Sequence, residues 1–308
     1  MKNIRFKKIL TGVVCCMMAF AVAGLAFAFG GCADNRKLIG FDTEMAEKFA
    51  ADNGLTIKFR LIKWEAKEQE LASGRSDLVW NGLTYDTDRA ANMELSNYYM
   101  KNRQVAVVRD EDSAMYTSIQ SIIDSNAKLS AETGSGGEHI LNAFPDSCPK
   151  KKADSQRSAM LDVKTKNVDI AFVDATMAEY LCNATGSVFS SLKVVSDLAL
   201  VVDKYDVFVP NADINDATEH YSVAAKKGNT GVIAMVNDFF VSMSASGNMR
   251  LIAEKYGLDN VLEDAYVNEK TYDSLTEAEK ADWLAIKKRG KLVVAYTLNA
   301  PIAMYEEI

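Results

Sequence analysis

Six residues constrain the fold more than any others. Val168-Asp169-Ile170-Ala171-Phe172-Val173 is a near-continuous apolar run between polar flanks, as expected of a parallel strand buried on both faces. Such a strand needs helices above and below its sheet. The surrounding chain alternates helical and strand patterns, which predicts an α/β architecture. Glu44 to Asn53 reads as an amphipathic helix with Met45, Phe49 and Ala50 on one face and Gly54 as its stop. Leu55 to Ile62 alternates as a strand, Lys67 to Ser73 is a short helix ended by Gly74, and Gln104 to Val108 is a short β-rich run. Beyond the buried run, Thr176 to Leu181 turns helical and Tyr221 to Ala225 is a strand. Two helical patterns follow, Val232 to Ser242 and Met249 to Tyr256. Thr276 and Glu279 have capping-box spacing ahead of a helix that Gly290 stops. Lys291 to Tyr296 is a last strand before a turn at Asn299-Ala300-Pro301.

The N-terminus has a different character. Lys2, Arg5, Lys7 and Lys8 precede an apolar run from Ile9 to Phe29, which reads as an export signal outside the fold. The run is also long enough for an uncleaved membrane anchor. Either reading places the rest of the chain outside the cytoplasmic membrane. The 308 residues carry 35 basic and 42 acidic side chains, a net charge of −7, and the four leader residues belong to the basic count. So acidic a body, with no Lys/Arg stripe, argues against a nucleic-acid partner. Of the five cysteines, Cys15 and Cys16 lie in the leader. Cys148 and Cys182 have a pairing partner only in each other, and two cysteines without geometry do not define a disulfide. His139 and His220 stand alone, so there is no ligand cluster for a metal, and no cofactor is expected.

The polar chemistry gathers in three places. Trp80-Asn81-Gly82-Leu83-Thr84-Tyr85-Asp86-Thr87-Asp88-Arg89 follows the strand Ser76-Asp77-Leu78-Val79. A guanidinium beside hydroxyl and backbone donors suits a carboxylate, which accepts two parallel hydrogen bonds from arginine; a solvated surface arginine is the plain alternative. Gly134-Ser135-Gly136-Gly137 opens a helix or serves as a flexible linker. Asp174 ends the buried run, where open α/β sheets gather ligand contacts, and it is equally placed to cap the helix at Thr176.

Taken in order, several phrases resemble one family. They are Gly40-Phe41-Asp42-Thr43-Glu44-Met45-Ala46, the Asn81 to Arg89 stretch, Ser96-Asn97-Tyr98-Tyr99, Gln104-Val105-Ala106-Val107-Val108, Gly134-Ser135-Gly136-Gly137 and Val168 to Asp174. Together, from Leu38 to Gly257, they are similar to the family 3 extracellular solute-binding proteins, the amino-acid receptors of ABC importers. The resemblance implies a two-lobed periplasmic-binding-protein type II fold with a hinge of two crossing strands, Gln104 to Val108 and Tyr221 to Ala225. Residues 1–32 would be the leader, 33–104 plus 225–308 the first lobe, and 105–224 the second. Phe29-Gly30-Gly31-Cys32 resembles a lipobox, with Cys32 as the acylated residue, although Phe29 stands where leucine is usual.

The resemblance also implies roles. Arg89 would hold the ligand carboxylate, with Thr84 and the backbone N–H near Gly82 as further donors and Asn81 beside them. Ser135 and Gly136 would lie at the anion-favouring helix start; Gly136 replaces a usual threonine, and one hydroxyl contact goes with it. Asp174 would accept the ligand ammonium, and Trp64 would pack against the ligand side chain unless it is simply a core residue.

One departure stands out. The family's first strand and its Pro-containing loop normally precede the Gly-Phe-Asp phrase, yet only Ala33 to Lys37 separate Cys32 from Leu38. Lys291 to Tyr305 resembles the missing piece, so the chain reads as circularly permuted with its first strand at the C-terminus. Joining Glu306-Glu307-Ile308 to Ala33-Asp34-Asn35 gives a polar hairpin, and loop tips tolerate such cuts. A truncated tandem is the rival explanation. At the position of a family ligand-contacting aromatic the chain has Asn299, with Tyr296 nearby.

The implied function is extracytoplasmic binding of a free α-amino acid by a lipid-anchored monomer, and delivery to an ABC permease in the membrane. Asn81, Asn299 and Glu65 favour a polar ligand. A ligand-sensing ectodomain would bind the same class of molecule. A dehydratase-type enzyme on the same fold would need an acid or base over the reacting carbon, and Glu65 and Asp174 are the only acids the sequence places near the cleft.

Overall fold

The computed structural model describes residues 36–268 and 270–306. The leader, the Cys32 lipidation site and most of the polar hairpin therefore lie outside the described residues. Leu38–Tyr305 forms one compact unit. Outside it, the Glu306 N–H donates to the Lys37 carbonyl at 2.8 Å.

The strands of the main unit are β1 (Leu38–Ile39), β2 (Thr56–Leu61), β3 (Leu78–Thr84), β4 (Met93–Leu95), β5 (Met100–Asn102), β6 (Gln104–Arg109) and β7 (Leu129–Glu132). They continue with β8 (Lys150–Ala153), β9 (Ile170–Asp174), β10 (Leu192–Val195), β11 (Glu219–Lys226), β12 (Lys291–Tyr296) and β13 (Met304–Tyr305). One sheet runs β2-β12-β3-β11-β4, with β5 also paired to β11; a second runs β10-β6-β9-β7-β8; β1 and β13 form a short antiparallel ribbon.

Each large sheet is covered on both faces, as near-continuous apolar strands require. In the first sheet, Trp80 of β3 packs beneath the helices Phe41–Asp52 and Thr230–Ala245, its ring 6.0 Å from Phe49 and 5.5 Å from Phe240. Trp283, from the helix Ala281–Arg289, closes the same cluster against Phe49. Burying one such side chain contributes about 1.5–3 kcal/mol or more. The opposite face carries Trp64, Leu71, Val79, Leu83 and Ala295. In the second sheet, Val105, Val107, Ala171 and Val173 face one layer, while Ala106, Val108, Ile170 and Phe172 face the other. That alternation follows from the two-residue repeat of a strand.

The C-terminal strand takes a central place. β12 runs parallel to β2 over six pairs, Lys291↔Thr56 to Tyr296↔Leu61, and parallel to β3 at Val294↔Leu78 and Ala295↔Val79. The turn after it completes the start of the helix Phe41–Asp52. The Phe41 and Asp42 N–H groups donate to the Pro301 and Ile302 carbonyls at 3.1 Å, satisfying amides that a helix start leaves unpaired. Gly40 permits this approach: a Cβ there would lie 2.3 Å from the Ile302 oxygen.

Two expectations are corrected. β3 does not end at Val79; pairing with β11 carries it through Thr84, so Asn81, Gly82 and Thr84 lie on a strand. The expected crossing strands each belong wholly to one sheet, β6 to the second and β11 to the first, whereas the expected lobe boundary after residue 224 puts six of the eight β11 residues in the second lobe. The chain instead passes between sheets at Arg103 and again just before Glu219. Cys148 and Cys182 are both free thiols.

Candidate functional site

A narrow cleft lies at the seam of the two sheets. All nine residues singled out from sequence line it: Trp64, Asn81, Gly82, Thr84, Arg89, Ser135, Gly136, Asp174 and Asn299. Glu132, Gln156 and Thr297 complete its wall and were not foreseen. Tyr296 is not among the lining residues; its ring packs edge-on against Phe59 at 5.9 Å. Glu65 is exposed and also lies outside the wall.

The first wall is shaped by a bulge. The β3–β11 register shifts between Ser222 and Ala224, so Trp80, Asn81 and Gly82 together face Val223. Gly82 adopts φ +60°, where a glycine avoids the Cβ penalty, and a Cβ would meet the Tyr221 ring at 3.1 Å. The bulge turns the Asn81 carboxamide toward β12. Its Oδ1 accepts the Thr297 N–H and hydroxyl, each at 2.8 Å, which leaves the buried Nδ2 unpaired. Asn299, from the turn after β12, has a buried unpaired Oδ1.

Arg89 sits on the short helix Thr87–Asn92, whose N-cap Asp86 accepts the Arg89 backbone N–H at 2.7 Å. Its side chain is 8% exposed and meets Asp86 again through Nε at 3.0 Å. Nη1 donates to the Thr84 carbonyl at 2.6 Å and Nη2 to the Gly134 carbonyl at 3.2 Å. A guanidinium has five N–H groups, so one on each terminal nitrogen remains without a partner among the described residues. The Gly134 carbonyl, on the opposite lobe, also accepts Lys67 Nζ at 3.0 Å. Burial first, and the Arg89 charge second, bring Lys67 down to about 8.

The second wall centres on Asp174 at the end of β9. The side chain makes no capping bond to the following helix, Ala175–Asn183. Three carboxamides hold it instead: Asn102 and Gln104 donate to Oδ1 at 3.0 and 2.7 Å, and Gln156 donates to Oδ2 at 2.6 Å. The Asn102 and Gln104 carboxamides also reach Glu219 Oε2, each at 3.0 Å, so two acids share two amide groups. Burial, then the neighbouring Asp174, raises the Glu219 carboxyl above its ordinary range. Burial, reinforced by the same Asp174, pushes Glu132 up to about 8.

The structure also commits several donors that the sequence had left open. The Gly82 N–H donates to Asp42 Oδ2 at 2.8 Å, on the core side of β3, and so does not serve the cleft. The Thr84 hydroxyl donates to Glu219 at 3.1 Å. Ser135 caps the helix Gly136–Ala143, donating to the Glu132 carbonyl at 2.8 Å and accepting from the Glu138 N–H at 3.3 Å. A Cβ at Gly136 would press on the carboxamide and carboxylate behind it, lying 2.7 Å from Gln104 Nε2 and 2.9 Å from Glu219 Oε1. Glu132 was missed although it is a lone charge in the otherwise uncharged strand Leu129-Ser130-Ala131-Glu132, and that was the available signal. Gln156, one residue inside a helix start, carries no such mark.

Two sheets buried on both faces, joined by two chain passages and facing each other over a cleft with an arginine on one side and carboxylates on the other, define a two-lobed ligand-binding protein. The chain belongs to the bacterial extracellular solute-binding proteins, family 3, whose pattern matches residues 20–259. The L-cystine-binding protein TcyJ of Escherichia coli K12 is 23% identical over 230 residues, covering 75% of this chain and 77% of that protein. A probable histidine-binding protein of Neisseria gonorrhoeae is 24% identical over 222 residues, covering 70% and 74%. Among solved structures, an ABC uptake transporter substrate-binding protein from Streptococcus pneumoniae with bound histidine is 26% identical, with 72% and 85% covered and a TM-score of 0.58. Among the described residues no helix is long and apolar enough to cross a membrane.

Proposed function

We propose that the protein captures a free α-amino acid outside the cell and delivers it to the permease of an ABC importer. One observation carries the reading: Arg89 on one lobe and Asp174 on the other line the same cleft, a pairing suited to the two charged ends of a zwitterion. Arg89 takes the carboxylate with its two unpartnered N–H groups, and Asp174 takes the ammonium. Trp64 packs against the side chain, while Asn81 and Asn299 bring the unpaired donor and acceptor expected of a site for a polar ligand. Ser135 and Gly136 shape the wall, and Thr84 and Gly82 shape the floor rather than donate to the ligand. A ligand touching both lobes interacts more strongly with the closed arrangement and shifts the hinge equilibrium toward it.

The cystine and histidine named for the relatives support the amino-acid class. The same reading takes the chain as a monomer that catalyses no reaction, tethered to the membrane through Cys32 after cleavage of residues 1–31. It also takes the strand order as a circular permutation, supported by the seat of β12 between β2 and β3; a coding sequence that runs past Ile308 into a second copy would refute that part. A thermal-shift screen of the twenty amino acids tests the main claim, since a ligand at 100 times its Kd stabilises by about 2.7 kcal/mol. A rise in Tm with one or a few amino acids is expected. No rise with any of them, alongside a rise with another class of solute, would overturn it.

A further inference from the structure

We infer that Glu132 forms a second cation-binding point in the cleft, so that the ligand is an α-amino acid whose side chain carries a positive charge. The inference rests on the amino-acid reading above and adds the class of side chain.

The charges on the cleft wall lead to it. A zwitterion satisfies Arg89 and Asp174 and leaves Glu132 over. Glu132 ends β7, which runs parallel to β9 with Leu129↔Ile170 and Ala131↔Phe172 in register, so Glu132 and Asp174 stand at the carboxyl ends of adjacent parallel strands. Ligand contacts gather at such strand ends. The Glu132 residue is 5% exposed and lines the cleft. Among the described residues no lysine or arginine lies within 4.0 Å of its carboxylate. Lys67 is the cation whose field reaches it, but Lys67 Nζ is held by the Gly134 and Trp64 carbonyls at 3.0 and 3.5 Å and lies 5.0 Å over the Trp64 ring.

A buried carboxylate in this position either keeps a proton or meets a cation. Burial first and Asp174 second hold the Glu132 carboxyl up to about 8, against the lowering effect of Lys67 and of a hydrogen bond from the Gln156 backbone. A guanidinium or ammonium entering beside it reverses that balance, and Glu132 ionises against it. The surroundings favour the cation over a neutral group. Glu219 adds an acid behind Gly136, a Cβ at Gly136 lying 2.9 Å from its Oε1, and Asn299 Oδ1 adds an unpaired acceptor to the same cleft. A protonated Glu132 would instead donate to a side-chain carbonyl, and the two cases predict different ligands.

Calorimetric titration of the purified protein at neutral pH with arginine, citrulline, ornithine and norvaline separates them, because each cationic ligand has a neutral counterpart of similar shape. The cationic member of each pair is expected to bind at least about 10-fold tighter, and Glu132→Gln to reduce that ratio by about 10-fold. Glu132→Asp, which keeps the charge, should retain most of the preference, and far-UV circular dichroism checks that each variant is folded. Citrulline and norvaline binding as tightly as arginine and ornithine would overturn the inference while leaving the amino-acid reading intact. A cationic preference that survives Glu132→Gln would overturn the assignment to Glu132. Failure of every amino acid to bind would remove the underlying reading instead.

Discussion

Gln156 holds Asp174 at two points: its Nε2 donates to Oδ2 at 2.6 Å, and its Oε1 accepts the Asp174 backbone N–H at 2.8 Å. Because the backbone N–H can only donate, the carboxamide has one permitted orientation, and that orientation aims its amide at the carboxylate. Asp174 is thereby set in place before any ligand arrives. Gln156→Ala should weaken amino-acid binding by about 1–3 kcal/mol, the cost of leaving buried polar groups short of partners. Calorimetry measures this, and an affinity within twofold of the parent would mean that Asn102 and Gln104 position Asp174 unaided.

Arg89→Ala should be more damaging. It leaves the ligand carboxylate buried without its counter-charge, for which the expected cost is about 2–5 kcal/mol of binding free energy. The fold should survive, because the Asp86 cap bond to the Arg89 backbone N–H does not need the side chain. Undiminished binding by a folded Arg89→Ala protein would show that the carboxylate is held elsewhere.

Gly136 and Gly137 are neighbours expected to fail in different ways. A Cβ at Gly136 presses on the far ends of Gln104 and Glu219, at 2.7 and 2.9 Å, and flexible side chains can yield. Yielding moves the Gln104 amide off Asp174, so Gly136→Ala should lower affinity by about 1 kcal/mol, roughly one hydrogen bond, with little change in Tm. A Cβ at Gly137 lies 2.5 Å from the Phe172 carbonyl oxygen, which belongs to a central strand. Gly137→Ala should therefore cost about 1–3 kcal/mol of stability, as overpacking does. Urea unfolding separates the two; equal stability losses would contradict the distinction.

Asp42 gives the fold a pH dependence. It is buried beneath β3, accepts Tyr99 Oη at 2.7 Å and the Gly82 N–H at 2.8 Å, and has one oxygen with no partner. Burial raises it from 3.8 to about 7. The folded state therefore binds the proton more tightly than the unfolded state, so this group's contribution is fully present below pH 3.8 and is lost as pH rises to about 7. Asp42→Asn keeps the acceptor oxygen and cannot ionise. The stability of the parent relative to this variant should fall between about pH 4 and 7, by a few kcal/mol at 1.36 kcal/mol per pKa unit. Parallel pH profiles of urea midpoints for the two proteins would refute the assignment.

Much of the fold was legible because period and punctuation are local properties. The apolar run before Asp174 became β9, the Gly134 to Gly137 turn opened a helix with Ser135 as its cap, and Gly290 closed the helix Ala281–Arg289 in the left-handed conformation. The end of β3 was misplaced because Asn81-Gly82-Leu83-Thr84 looks like a turn by composition, and only pairing with β11 keeps it extended. Glu132 and Gln156 were missed for a related reason. Neither belongs to a recognisable motif, and each matters through its distance from Asp174, which is set by packing of β7 and of the helix Gln156–Lys164 against β9.

By itself the sequence determined the alternation of elements, the sheets' apolar faces, and the presence of a guanidinium and a carboxylate at positions where strands end. Those follow from side-chain chemistry and short-range periodicity. Tertiary structure decided which polar groups remain available. The Gly82 N–H is taken by Asp42, the Thr84 hydroxyl by Glu219 and the Asn81 oxygen by Thr297, whereas Asn81 Nδ2 and Asn299 Oδ1 are left unpaired. A hydrogen bond forms with whatever stands within about 3 Å, and separation along the chain, here as large as 216 residues, carries no information about that distance.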